Sequence, residues 1–115
     1  MIIQAIKKIN PNAEVVIRGN DLATCEIEWH NGTTPISKAD IEAQLPIVEL
    51  DMAMENLRAK RNKLLADTDW TQFADSPLTA EQKFVYAEYR QQLRDITNGL
   101  TTKDEVEAVV FPTKP

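Results

Sequence analysis

Residues Leu57 to Ile96 read LRAKRNKLLADTDWTQFADSPLTAEQKFVYAEYRQQLRDI. A charged amphipathic run enters a Trp-centred connection and emerges as a second amphipathic run, which predicts a helix, an ordered corner and a return helix. On the first run Ile47, Leu50, Met54, Leu57, Arg61 and Leu64 recur at steps of three and four, with Leu65 beside them, and so make one seam. Arg61 interrupts the seam without breaking it, because its stem can lie on apolar surface while the guanidinium reaches outward. On the return run Val85, Tyr89, Leu93 and Ile96 share a face, widened by Phe84 and Tyr86. Between the runs, Asp69 stands three residues before Gln72, and Thr79 three before Gln82, each the spacing of a capped helical start. Trp70 lies in the connection and is expected to wedge between the helices and fix their approach.

Upstream the pattern changes period. Ile2, Ile3, Ile6 and Ile9 have helical spacing, ended by Asn10-Pro11-Asn12. Glu14 to Arg18 reads as a strand and Gly19-Asn20-Asp21 as a turn. From Thr24 to His30 the chain alternates, with Cys25, Ile27 and Trp29 on one face and Glu26, Glu28 and His30 on the other. Asn31-Gly32 is a hairpin signal, and Thr33 to Ile36 reads as a return strand. The expected result is a three-stranded antiparallel meander with a short helix, covering its one apolar face by packing on a helix.

Ser37 and Asp40 mark the next helix start, and Pro46 follows within it. Proline has no amide to donate and crowds the preceding turn, so a kink or break is expected near Ala43 to Leu45. This places a module boundary there: residues 1–45 hold the helix and meander, and residues 46–115 a helical hairpin with an extended tail. The fold class is α+β. Acidic Asp40, Glu42, Glu49, Asp51 and Glu55 precede basic Arg58, Lys60, Arg61 and Lys63, an order that suits the helix dipole. After Ile96, Asn98-Gly99 is a helix stop. Thr101 to Glu107 is compatible with a short helix started by Thr102 or with irregular structure. Ala108 to Phe111, followed by Pro112, reads as extended, a tail that docks through Val110 and Phe111.

Composition narrows the function. At 115 residues the chain suits one modest domain or two small modules, and 43% hydrophobic residues argue against wholesale disorder. A net charge of −5 does not favour nonspecific nucleic-acid binding. The single cysteine, Cys25, rules out an internal disulfide and a cysteine-rich zinc site. No apolar run is long enough to span a bilayer, and the start MIIQAI is too quickly interrupted by Lys7 and Lys8 for a signal peptide.

No reacting group stands out. Cys25 and His30 fall on opposite strand faces, a poor geometry for proton transfer between thiol and imidazole. Asp67, Asp69 and Asp75 lack the spacing of a calcium loop and are better read as caps or partners for Arg58, Arg61, Arg90 and Arg94. No glycine-rich phosphate cradle, hydrolase motif or zinc motif is present. Catalytic residues, metal and cofactor are therefore all expected to be none.

The run RNKLLADTDWTQ, followed by DSPLT, EQK, YRQQLRDI and a closing VVFPTKP, resembles the bacteriophage tail assembly chaperone family over roughly the C-terminal half. The N-terminal NPNAEVVIRGNDLATCEIEWHNG more loosely resembles the opening of small phage structural proteins. In that family Trp often stands where this chain has Tyr86 or Phe111, and Pro often stands at Thr97. The resemblance implies partners among phage tail or tail-fibre proteins, and neither enzyme nor cofactor. It implies action in the host cytoplasm during assembly, and a place in the virion tail for a component that is retained.

The residues expected to meet a partner are Trp70, Tyr86, Tyr89, Val110 and Phe111, with Arg58 and Arg61 at the charged border, because aromatic groups combine large area with few rotors. The leading expectation is a structural tail or tail-fibre attachment protein. The alternative is a transient assembly chaperone, and a nucleic-acid binder or small enzyme stands behind both. The short seam from Ile47 to Leu64 also permits self-association.

Overall fold

The computed structural model describes all residues from Met1 to Pro115. They form two compact units, Met1–Asp51 and Met52–Pro115.

In the first unit, helix α1 (Ile2–Ile9) buries Ile2, Ala5 and Ile6, the one-face spacing of a short amphipathic helix. Lys7 and Lys8 occupy its last turn, where cations oppose the dipole. Strands β1 (Glu14–Arg18) and β2 (Glu26–His30) pair antiparallel, with Val15 opposite Trp29 and Ile17 opposite Ile27. These four side chains pack on the core that Ile2, Ala5, Ile6, Ala13, Cys25, Ile41 and Val48 build. The other sheet face carries charge: Arg18 donates to Glu28 at 2.6 Å, and the His30 ring lies 3.3 Å from the same carboxylate.

The sheet has two strands, where the sequence predicts three. The Asn31-Gly32 turn does form: both residues have positive φ, 53° and 74°, and the Thr33 amide donates to the His30 carbonyl at 3.0 Å. The following Thr33 to Ile36 takes no strand pairing. Pro35 has no amide for a ladder, and the Thr33 hydroxyl instead accepts the Glu14 amide at 3.0 Å.

Helix α2 spans Lys38–Thr68. Ser37 starts it by accepting the Asp40 amide at 3.1 Å. Of the kink or break expected near Ala43 to Leu45, the break is absent: Pro46 lies inside a continuous helix. Ile41 and Val48, seven residues apart on one face, straddle Pro46 and both belong to the core of the first unit, with Leu45 packed between them. Their burial holds the helix through the missing hydrogen bond.

The second unit comprises the rest of α2, a 3₁₀ turn (Asp69–Gln72), α3 (Ala80–Asp95) and α4 (Lys103–Glu107). The end of α2 has no basic residue in its last turn. Arg58 to Lys63, which the sequence order placed at the positive-seeking end, stop before it. Arg90 of α3 supplies the cation from across the corner. Its Nη1 donates to the Leu65 carbonyl at 2.6 Å and to the Thr68 hydroxyl at 2.9 Å, and its Nη2 donates to Asp69 at 2.6 Å. Arg90 is only 8% exposed, and its Nε finds no protein acceptor. A carbonyl near the helix end, a hydroxyl and a carboxylate thus converge on one guanidinium. Tyr89 and Leu93, beside it on α3, are buried.

Thr79 and Gln82 form the reciprocal capping box the spacing predicts, at 3.1 and 2.9 Å. Gly99, with φ of 75°, lies in the turn that follows α3. Thr102 then caps α4 by accepting the Glu105 amide at 3.2 Å, which settles the segment the sequence left open. Val106 of α4 is buried.

Two predictions follow from this packing. Arg90→Ala should lower unfolding stability by about 3 kcal/mol in urea denaturation, because it removes a buried side chain together with its charge-assisted hydrogen bonds to the Leu65 carbonyl and the Thr68 hydroxyl. Asp69→Ala should cost only about 1 kcal/mol or less, since that carboxylate is half in water; equal losses would mean the ion pair, not the backbone contact, dominates. On the sheet, the hydrogen bond and charge of Arg18, with a smaller contribution from His30, hold the Glu28 carboxyl below its ordinary range. A depressed folded value means this contribution is present at neutral pH and lost as pH falls through it. Carboxyl NMR titration should find the Glu28 midpoint below that of an ordinary glutamate, and Arg18→Ala should raise it.

Candidate functional site

The corner between α2 and α3 puts polar groups inside and aromatic groups outside. Thr68 and Thr71 are fully buried. The Thr68 hydroxyl reaches the carbonyls of Leu64 and Leu65 at 2.9 and 3.2 Å, and the Thr71 hydroxyl donates to the Thr68 carbonyl at 2.6 Å. Gln72 Nε2 contacts the Thr71 hydroxyl at 3.0 Å and donates to the Lys83 carbonyl of α3 at 3.1 Å. The connection is thereby tied to both helices through hydrogen bonds.

Trp70 is not the buried wedge that the sequence suggests; it is 45% exposed. The reason is periodicity. A 3₁₀ turn has three residues per turn, so Thr68 and Thr71 fall on the same inward line and Trp70 is carried off it. Its ring instead meets Tyr86 of α3, with centroids 6.2 Å apart and planes tilted by 55°, an edge-inclined aromatic pairing. Asp69, expected as the cap of this turn, makes no cap hydrogen bond and pairs with Arg90.

Tyr86 extends the surface. With Leu78, Glu81, Gln82 and Val85 it lines a cleft that also includes Pro115, and its hydroxyl lies 3.5 Å from the Pro115 oxygen. Val85 is exposed, as are Phe73 and Phe84. The structure therefore brings Trp70, which is exposed, and Tyr86, which is half-buried, together on one surface.

The other expected contact residues separate. Tyr89 is 4% exposed and belongs to the interior, because its position beside Leu93 turns it toward the helix partner. Val110 and Phe111 point apart, as successive residues of an extended segment must. Val110 is 88% exposed, whereas Phe111 and Val109 line a cleft with Ala53, Asn56, Leu57 and Lys60 of α2. The tail thus docks through Val109 and Phe111, and Val110 is displayed. Arg58 is exposed. Arg61 is half-buried, and its Nη1 lies 3.5 Å from the Thr97 hydroxyl.

The sequence reading missed Thr68 and Thr71 as the corner's interior and did not give Arg90 its central place. The visible signal was a pair of β-branched hydroxyl residues three apart, facing an arginine next to the apolar seam of α3. Cys25 is buried in the core of the first unit and His30 is exposed beside Glu28, so thiol and imidazole do not meet. No three His, Cys, Asp or Glu side chains gather as a metal site, and no helix is long and apolar enough to cross a membrane.

A family model described as "Phage tail assembly chaperone protein" matches residues 54–115. No curated protein and no solved structure matches the chain. The matched residues contain the Arg90-centred corner, the Trp70–Tyr86 surface and the docked tail. Over more than half of its length, then, this chain carries the pattern of a non-enzymatic family defined by tail assembly, and it belongs to the phage tail assembly chaperone family.

Proposed function

We propose that this protein is a transient assembly chaperone: it holds an apolar segment of a phage tail or tail-fibre protein during assembly and is absent from the finished particle. The observation that carries this reading is the coincidence of the family match at residues 54–115 with the exposed Trp70 ring paired with Tyr86. An exposed tryptophan paired with a tyrosine offers a large, stiff, partly apolar contact with a small entropic cost on binding. Val85 enlarges that surface, and Val110 and Arg58 add contacts along the same unit. A permanent attachment protein would use the same chemistry, but the family match supports the chaperone reading over it.

Mass analysis of purified particles separates these two roles. The expected outcome is that the protein is required for tail formation yet missing from complete tails; stoichiometric presence in the particle would overturn the proposal. Trp70→Ala should weaken capture of the tail partner by about 30-fold, the loss of about 2 kcal/mol typical of an aromatic anchor, while leaving circular dichroism unchanged. Undiminished capture would move the contact surface elsewhere.

A further inference from the structure

Two asparagines of this chain precede glycine, Asn31 and Asn98. The pair is chemically labile, because a glycine nitrogen, with no side chain crowding it, can attack the side-chain carbonyl carbon of the asparagine before it. Both pairs are exposed, both glycine amides are free of backbone hydrogen bonds, and a Cβ at either glycine would point into open space. Access to the nitrogen and to water is therefore the same at the two places. Conformational restraint is not.

Asn31 lies in the turn that follows β2, and three contacts hold it. The Thr33 amide donates to the His30 carbonyl at 3.0 Å, the Glu14 amide donates to the Thr33 hydroxyl at 3.0 Å, and the Asn31 side-chain amide donates to the Glu14 carboxylate. Bringing the Gly32 nitrogen onto the Asn31 side chain needs rotation of the main chain between them, which breaks these ties to β1. Asn98 lies in the turn after α3, where its own amide donates to the Asp95 carbonyl at 3.0 Å and its side chain stands exposed. No strand is unpaired when that turn rearranges.

We infer that Asn98-Gly99 is a site of spontaneous deamidation in the folded protein, and that Asn31-Gly32 is protected from the same reaction by its tie to Glu14. The Gly99 nitrogen forms a bond to Asn98 Cγ, the bond from Cγ to the side-chain nitrogen breaks, and ammonia leaves with the proton that the glycine amide gives up. Water then opens the resulting succinimide at one of its two carbonyls, to aspartate or to isoaspartate. Either product puts a carboxylate at the end of α3, where the helix dipole is negative. Isoaspartate also adds a carbon to the main chain in the turn that leads to α4.

The test incubates the full chain in mildly alkaline buffer, with a parallel sample unfolded in guanidinium. Trypsin then releases residues 95–103 and 19–38, one asparagine-glycine pair in each, and mass spectrometry with fragmentation separates asparagine, aspartate and isoaspartate. In the folded chain Asn98 should convert at least about ten-fold faster than Asn31, which reacts only from local openings. In guanidinium the two should convert at similar rates. Glu14→Ala, at an exposed position, should speed conversion of Asn31 in the folded chain about three-fold, the weight of one hydrogen bond, and leave Asn98 unchanged. Amide shifts in the aged parent chain should centre on residues 96–100, a readout that needs no variant to fold. Equal rates at the two asparagines in the folded chain, an Asn98 that converts only in guanidinium, or shifts centred elsewhere would each overturn the assignment of Asn98. An Asn31 rate indifferent to Glu14→Ala would overturn the protection by Glu14. Neither result depends on what the second unit binds.

Discussion

A helix that stops inside a corner leaves its last carbonyls without amides, and in the second unit Arg90 answers that demand from the opposite helix. One guanidinium serves the Leu65 carbonyl, the Thr68 hydroxyl and the Asp69 carboxylate. Removing a charge from water is costly, and it is tolerated here because most of its donors are matched at short distance. The direction of α3 from the corner follows from this contact. So does the placement of Tyr89 and Leu93 inside and Tyr86 outside, since all are set by the rotation that brings Arg90 to the end of α2.

The same constraint explains an inversion at the corner. Two threonines and an arginine are buried where a tryptophan and a phenylalanine in the same connection are exposed. Each hydroxyl inside is satisfied by a neighbouring carbonyl or by Arg90, so the polar interior carries little penalty. The aromatic exterior has no such internal reason. These large apolar groups lie exposed within the stretch matched by the tail assembly chaperone family, on a connection that hydrogen bonds tie to both helices.

Continuity of α2 through Pro46 has a similar origin in packing. An internal proline costs a helix about 3 kcal/mol, and burial of a side chain such as Ile41 or Val48 contributes about 1.5–3 kcal/mol each. Because the two residues lie on one face on either side of Pro46 and enter one core, ending the helix would expose at least one of them. Local preference at Pro46 is outweighed by the two contacts that flank it. At Thr33 to Ile36 the balance goes the other way: Pro35 cannot donate, no second face needs covering, and the chain leaves the sheet.

Sequence alone determined the types of the elements that form, though not the absence of the third strand, because periodicity states which face must be buried: alternation for β2, steps of three and four for α1, α2 and α3. It also determined the caps at Ser37 and Thr79 and the turn at Asn31-Gly32, where a few neighbouring atoms decide the conformation; at Thr102 it left a short helix and irregular structure both open. The family could be read there too, since its motifs lie in order along residues 54–115. Only the tertiary structure decided which way Trp70 faces, that Tyr89 is interior, that of Val110 and Phe111 it is Phe111 that turns toward α2, and that Arg90 closes the corner. Each of those depends on the rotation of one element against another across a gap of twenty or more residues, or on a 3₁₀ turn whose period differs from the helices around it, and spacing along the chain carries no record of either.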